Sequence, residues 1–195
     1  MYRSLIVTFV AVAVSCTTLI APAAAAAAAD DAFALTYFPT KDVMAHFSND
    51  WGNARSGGRH HQGTDVFAEK HSPLVAVADG FVTAIGDSNR SGYYVRIEHR
   101  DGWESWYMHL NNDTPGTDDG AGAPEFAYAA DLEVGMYIAA GTVIGYVGDS
   151  GNAEGSSAHT HFELHHGNRA VNPYPYLADA HHRWVRYLDL RDEAR

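Results

Sequence analysis

The sequence predicts a mainly β domain: antiparallel, sandwich-like sheets with few short helices. Three observations carry this. β-rich apolar runs flank Asp79-Gly80 and Asp101-Gly102, dipeptides that mark hairpin turns in such a setting. From Pro73 to His109 no helical period of useful length appears. From His159 to His165 polar and apolar residues alternate, the period of a half-buried strand.

The chain has 195 residues, enough for one domain with a proper core and some appendages. Met1–Arg3 is singly basic, Ser4–Ile20 is mostly apolar, and alanines run up to Ala29. Residues 1–29 therefore read as a secretory signal peptide. An uncleaved anchor and a lipid anchor at Cys16 are the competing readings. Residues 30–195 then form a single domain. Leu35–Pro39 is expected as an edge strand, because Pro39 cannot donate to a ladder. Asp50–Arg59 is turn-rich, and its Arg55 and Arg59 are expected as surface charges. Strands follow at Pro73–Ala78, Phe81–Ile85, Tyr93–His99 and Trp103–His109, with Asp79-Gly80 closing the first pair as a hairpin. Residues 111–131 hold five acids and no Lys or Arg, and read as a solvated surface loop. Val134–Gly148 is strand-turn-strand, and a small-residue loop over 149–158 leads to the strand at His159. The tail from Tyr174 mixes apolar and charged residues as a short packing helix would, with 178–195 as a terminal appendage.

The formal net charge is −11, and residues 1–29 carry Arg3 but no acid. Such a domain is a poor partner for nucleic acid, where Lys and Arg neutralise phosphates. It is equally unsuited to electrostatic recruitment by anionic surfaces. Cys16 is the only cysteine, so the domain lacks disulfides and thiolate ligands, and His with Asp or Glu would have to hold any metal.

Twelve histidines raise the question of which ones converge. In an extended segment His61, Gly63 and Asp65 share a face, and Gly63 leaves the space between the two ligand-capable side chains empty. His60 falls on the opposite face and belongs to a rim. By the same alternation Trp103, Ser105, Tyr107 and His109 share a face, with His109 at the strand end. His159, His161, Glu163 and His165 share another, opposite Thr160, Phe162 and Leu164. The candidates are His61, Asp65, His109, His159 and His161. A hydrolytic zinc site needs three protein ligands and one open position. His61 and Asp65 plus one of His159 and His161 would complete such a set; residue pattern alone leaves that choice open.

These motifs resemble the lysostaphin/LytM-type zinc endopeptidases of bacterial peptidoglycan. His61-x-Gly63-x-Asp65 matches the family's H-x-G-x-D, and Ser72–Ala76 with Asp79-Gly80 matches the segment that follows it. Tyr107-Met108-His109-Leu110 matches Y-x-H-L, and the glycine-punctuated run from Val134-Gly135 to Gly148 matches its counterpart. His159-Thr160-His161-Phe162-Glu163 matches H-x-H-F-E, and Asn172-Pro173 the closing N-P. The likeness runs from about residue 38 to 177. Thr160 replaces the usual apolar residue, and the loop before His159 is slightly longer than in the simplest members. The resemblance implies the duplicated hybrid motif fold, with Zn2+ on His61, Asp65 and His161. His159 would be the base, and His109 would stabilise the oxyanion or protonate the leaving amine; the two roles are exchangeable. Glu163 would orient a neighbour. The implied function is a secreted or extracytoplasmic (periplasm or cell wall) zinc endopeptidase cutting peptidoglycan cross-links or stem peptides. A D-Ala–diamino acid cross-link, a glycine bridge and a stem-peptide bond remain open as substrates. The alternative is a silent relative that binds the wall or activates other hydrolases, against which the intact ligand set weighs. The expected partner is a peptidoglycan peptide, with no nucleic acid, no stable membrane insertion after signal cleavage, and a monomeric state.

Overall fold

The structure, a computed structural model, describes residues 33–194. The expected signal peptide and Cys16 lie outside the described residues. Strands β1 (Ala54–Arg55), β2 (Arg59–His60), β3 (Thr64–Phe67), β4 (Pro73–Val75), β5 (Gly80–Ser88), β6 (Gly92–Glu98) and β7 (Trp103–Leu110) come first. They are followed by β8 (Tyr137–Ile138), β9 (Val143–Tyr146), β10 (His159–His166), β11 (Arg169–Val171) and a helix, α1 (Tyr174–Glu193). The main sheet runs β11-β10-β7-β6-β5-β8, with β3 also on β10; β4 pairs β9, and β1 pairs β2. Every ladder is antiparallel, as the sequence leads one to expect.

Alternation decides which side of the sheet is core. Val95 and Ile97 of β6, Tyr107 of β7, and Phe162 and Leu164 of β10 are wholly buried. They pack in one cluster with Leu74, Val77 and Ile144 from the β4–β9 region. The in-between residues Arg96, Trp106, Met108, His161, Glu163 and His165 face a cleft on the other side. The Tyr107 hydroxyl is part of the core: it accepts the Val77 N–H at 2.9 Å.

Four local expectations change. Leu35–Pro39 forms no strand, although Leu35 and Phe38 are buried; single backbone bonds tie it to the β4 segment, Tyr37 N–H to Val77 O and Val75 N–H to Pro39 O. Asp79-Gly80 is not a hairpin. Its flanking runs enter different sheets, β4 onto β9 and β5 onto β6 and β8. Gly80 is needed for close packing instead, since a Cβ there would lie 2.3 Å from Glu98 O. Asp101-Gly102, by contrast, does join paired strands, with φ of 58° and 72° in the left-handed region that Asp tolerates and glycine favours.

The acidic stretch over 111–131 is anchored rather than simply solvated. Asn111 and Asp113 are wholly buried, and the cation this stretch lacks comes from Lys70. Its ammonium lies 2.6 Å from Asp113, 2.8 Å from Asp118 and 2.9 Å from Asp149. The tail helix is longer than expected, at 20 residues. Leu177 and Ala180 are buried and Trp184 half-buried, a helical stripe that covers its first turns. Val185, Tyr187 and Leu190 beyond it are exposed. No helix among the described residues is long and apolar enough to cross a membrane.

Tyr107→Phe removes the acceptor of a fully buried N–H. It should cost about 1–3 kcal/mol in urea unfolding while leaving metal content unchanged; an unchanged unfolding midpoint would show that the Val77 N–H has another acceptor.

Candidate metal centre

The centre is built where β3 pairs with β10. Asp65 and His161 are direct cross-strand partners, so their side chains rise from the sheet side by side. His61, just before β3, completes the group. Three atoms converge: His61 Nε2 lies 2.8 Å from His161 Nδ1 and 3.1 Å from Asp65 Oδ1, and the latter two are 2.8 Å apart. Gly63 sits beneath them. A Cβ at this position would lie 2.6 Å from Phe162 O and 2.7 Å from the His161 ring, so the empty space expected from sequence is occupied by a ligand's own ring.

The surrounding acceptors fix what these atoms are. His61 Nδ1–H donates to Asp50 O at 3.1 Å and lies 3.2 Å from the Asp50 carboxylate. His161 Nε2–H donates to Glu163 Oε1 at 3.0 Å. Each ring has thus spent its N–H outward and turns a lone pair inward. Two imidazole lone pairs and a carboxylate oxygen face one point, an arrangement that requires a cation. A proton competes with a metal ion for the same point. Burial opposes charge on His61, yet Asp50 and Asp65 outweigh it and raise the ring to about 9. In the same way burial opposes ionisation of Glu163, but its bonds to His161 and His165 bring it down to about 2. Two nitrogens and one carboxylate oxygen, with no thiolate, suit zinc.

The other two histidines stand beside the centre without joining it. His159 Nε2 is 4.0 Å from Asp65 Oδ1. The His109 ring lies 5.1 Å from that of His159 and 6.0 Å from that of His161, centroid to centroid. Both rings are tethered in the same way. His109 Nδ1–H donates to Ser150 O at 2.8 Å and His159 Nδ1–H to Ser157 O at 2.8 Å. Burial and the neighbouring histidines push His109 down to about 4.

His109 arrives by a route that alternation does not give. By phase it should follow Ser105 and Tyr107, which point into the core. The β6–β7 register shifts between Tyr93 and Val95, and His109 takes φ of 60°. Such a bulge re-aims a side chain, and His109 lines the cleft with Trp106 and Met108. Its backbone N–H is caught by Ser91 O at 2.8 Å.

Around the five residues lies a cleft of about 740 Å3. His60 is exposed on its rim. Arg55 is more than a surface charge: it donates to Asp65 Oδ2 at 2.7 Å, leaving Oδ1 for the centre. Neither Arg55 nor Asp50 carries a spacing signal, because β1 is only two residues long and Asp50 lies outside any strand. Glu163 was legible from its phase.

Fold and site together define an antiparallel β domain with an open centre of two histidines and one aspartate. Residues 59–119 match the model of peptidase family M23. The catalytic domain of the antimicrobial peptidase lysostaphin from Staphylococcus simulans superposes with a TM-score of 0.53 at 27% identity, over 68% of this chain and 92% of that one. The L-Ala–D-Glu endopeptidase of Bacillus subtilis (strain 168) is 28% identical over 72% of this chain and 41% of its own length. The DD-carboxypeptidase/endopeptidase Mpg of Neisseria meningitidis serogroup B (strain MC58 among others) is 31% identical over 59% of this chain and 22% of its own. The chain thus spans less than half the length of these curated relatives. Its match to the peptidase family M23 model over residues 59–119 lies within a domain similar in fold to the lysostaphin catalytic domain.

Gly63→Ala tests the centre. The added methyl must displace the His161 ring, so divalent-metal affinity should fall at least ten-fold, in line with losses of about 10–100-fold when a ligand's support is removed. Competition with a chromogenic chelator reads this out, and unchanged affinity would show that the ring has room to move.

Proposed function

We propose that this domain is a zinc-dependent endopeptidase of peptidoglycan peptides, acting outside the cytoplasm after export by its N-terminal segment. The observation that carries the reading is the inward-facing set of His61 Nε2, Asp65 Oδ1 and His161 Nδ1, with two unligated histidines beside it in an open cleft. Its similarity to peptidase family M23 supports the same reaction class. Relatives are named for different bonds, among them an L-Ala–D-Glu endopeptidase and a glycyl-glycine endopeptidase, so similarity alone does not choose among them.

Zinc held by those three atoms would polarise the scissile carbonyl and acidify the attacking water. The chain's own residues do the rest. Arg55 and Glu163 hold Asp65 and His161 in register. His159 has its Nδ1–H tied to Ser157 O, so Nε2 is its acceptor, and that atom lies closest to the ligand set. His159 takes the proton of the attacking water. His109 is likewise tied at Nδ1. Its Nε2 carries a proton only after gaining one during the reaction, so it serves the developing oxyanion or the leaving amine as a transient donor. Phe67 and Met108 furnish apolar parts of the cleft wall.

Zinc-loaded protein should release new amino termini from purified cell wall, and chelation should abolish the release. If loaded protein frees none from wall or wall peptides, the endopeptidase reading is lost. His109→Ala should keep one zinc per chain while turnover falls by about 10²–10⁴-fold. Loss of zinc in that variant would make His109 part of the ligand set instead.

A further inference from the structure

We infer that the Trp106 wall of the cleft is a carboxylate-recognition subsite, and that the peptides cut here carry a free carboxylate within about four residues of the scissile bond. The inference rests on the endopeptidase reading and narrows it, favouring stem peptides or a diamino-acid cross-link over a glycine bridge, which offers no such group.

The charge pattern of the cleft is the first observation. The chain as a whole is strongly acidic, at −11. Yet the cleft's carboxylates are spoken for: Asp65 by the centre and Arg55, Glu163 by His161 and His165. In the same cleft Arg90 and Arg96 form no ion pair among the described residues. Uncommitted charge in this cleft is therefore positive. A low-dielectric cleft lined by one sign of charge draws the opposite one.

The second observation is how Arg96 is held. Glu163, Trp106 and Arg96 lie in one cross-strand row over β10, β7 and β6. The Arg96 guanidinium sits 3.7 Å from the Trp106 ring centroid and 5.2 Å from that of Tyr94. Trp106 is itself fixed: His165 stacks on it at 4.0 Å, and its Nε1–H donates to Glu104 at 2.9 Å. Stacking uses the face of a guanidinium and leaves its N–H edge available, in a fork that matches a carboxylate. Arg96 Nε is buried without any acceptor, and a protein rarely keeps such a donor unanswered. The side chain is thus half-buried, oriented and short of one acceptor, the state expected of a group awaiting an anionic ligand.

The row also sets the reach. From His161, two strand spacings and one two-residue step lead to Arg96, roughly 12 Å of backbone separation. Extended peptide covers this in about three to four residues at roughly 3.3 Å each.

The test uses two synthetic stem peptides that differ only in whether one carboxylate near the cut bond is free or amidated. With zinc-loaded wild type, kcat/KM should favour the free acid at least ten-fold. Arg96→Gln, checked for full zinc content, should narrow that ratio to within two-fold. Arg96→Lys, which keeps the charge but loses the planar fork, should fall between. Equal handling of both peptides by wild type overturns the inference, as does a variant that slows both alike with the ratio intact. Calorimetric binding of the same peptides separates this from the parent reading. If nothing is cut, the endopeptidase reading fails, and the subsite stands or falls on whether wild type binds the acid at least ten-fold tighter and Arg96→Gln does not.

Discussion

The pairing of Asp65 with His161 across β3 and β10 is the contact on which the site depends. The two residues are nearly a hundred positions apart, yet a ladder makes them direct neighbours. A slip of one residue would send His161 to the core face and Phe162 to the cleft. That slip is opposed by the core itself, because Phe162 and Leu164 are wholly buried and burial of such side chains is worth about 1.5–3 kcal/mol each. The hydrophobic pattern of β10 therefore sets the geometry of the candidate centre. β7 reinforces it from the other side, pairing with β10 from His161 to His166.

Once the register is set, charge is distributed by layers. The innermost atoms are all acceptors, and each is steered by a partner further out: Asp50 for His61, Glu163 for His161, Arg55 for Asp65. An acidic second layer around imidazoles makes them better donors to a cation. The same commitments remove negative charge from the cleft and leave its arginines to face whatever enters. Lys70 plays the corresponding part elsewhere, pairing its one positive charge with Asp113, Asp118 and Asp149 and so anchoring the acidic stretch against the core. An acidic chain thus keeps its surface negative and its cleft positive through pairings that cross long spans of sequence.

What was legible in the sequence follows from what is local. Alternation within one strand places His161 with Glu163 away from the core, and the extended reading sets His61 beside Asp65 although His61 precedes β3; the mainly β class and the role of Gly63 follow equally. Alternation fails at His109, because a bulge is a property of two strands and not of one. It fails at Asp79-Gly80, where a turn-like dipeptide serves the close approach of β5 to β6. Arg55, Asp50 and Lys70 act across gaps that no period spans. The helix was underestimated because only its first turns carry an apolar stripe, while its exposed remainder reads as a charged tail.

The loop over 149–158 deserves a functional rather than a decorative reading, because its carbonyls hold both unligated histidines. Ser150 O orients His109 and Ser157 O orients His159. Its first end is firmly seated: Gly151 takes φ of 73°, where a side chain would collide with Gly92, and the Ser150 hydroxyl accepts the Tyr93 N–H at 3.0 Å. Asp149 lies buried against Lys70. The other end, Glu154 to Ser157, is exposed. His109 is therefore fixed by a buried carbonyl and a backbone of positive φ, whereas His159 depends on the solvent-facing end of the same loop. A peptide lying in the cleft would meet that end, where Ser156 and Ser157 form part of the wall. Loop sequence can then alter which peptides fit and how His159 is aimed, while the ligand set, carried by the β3–β10 ladder, stays unchanged.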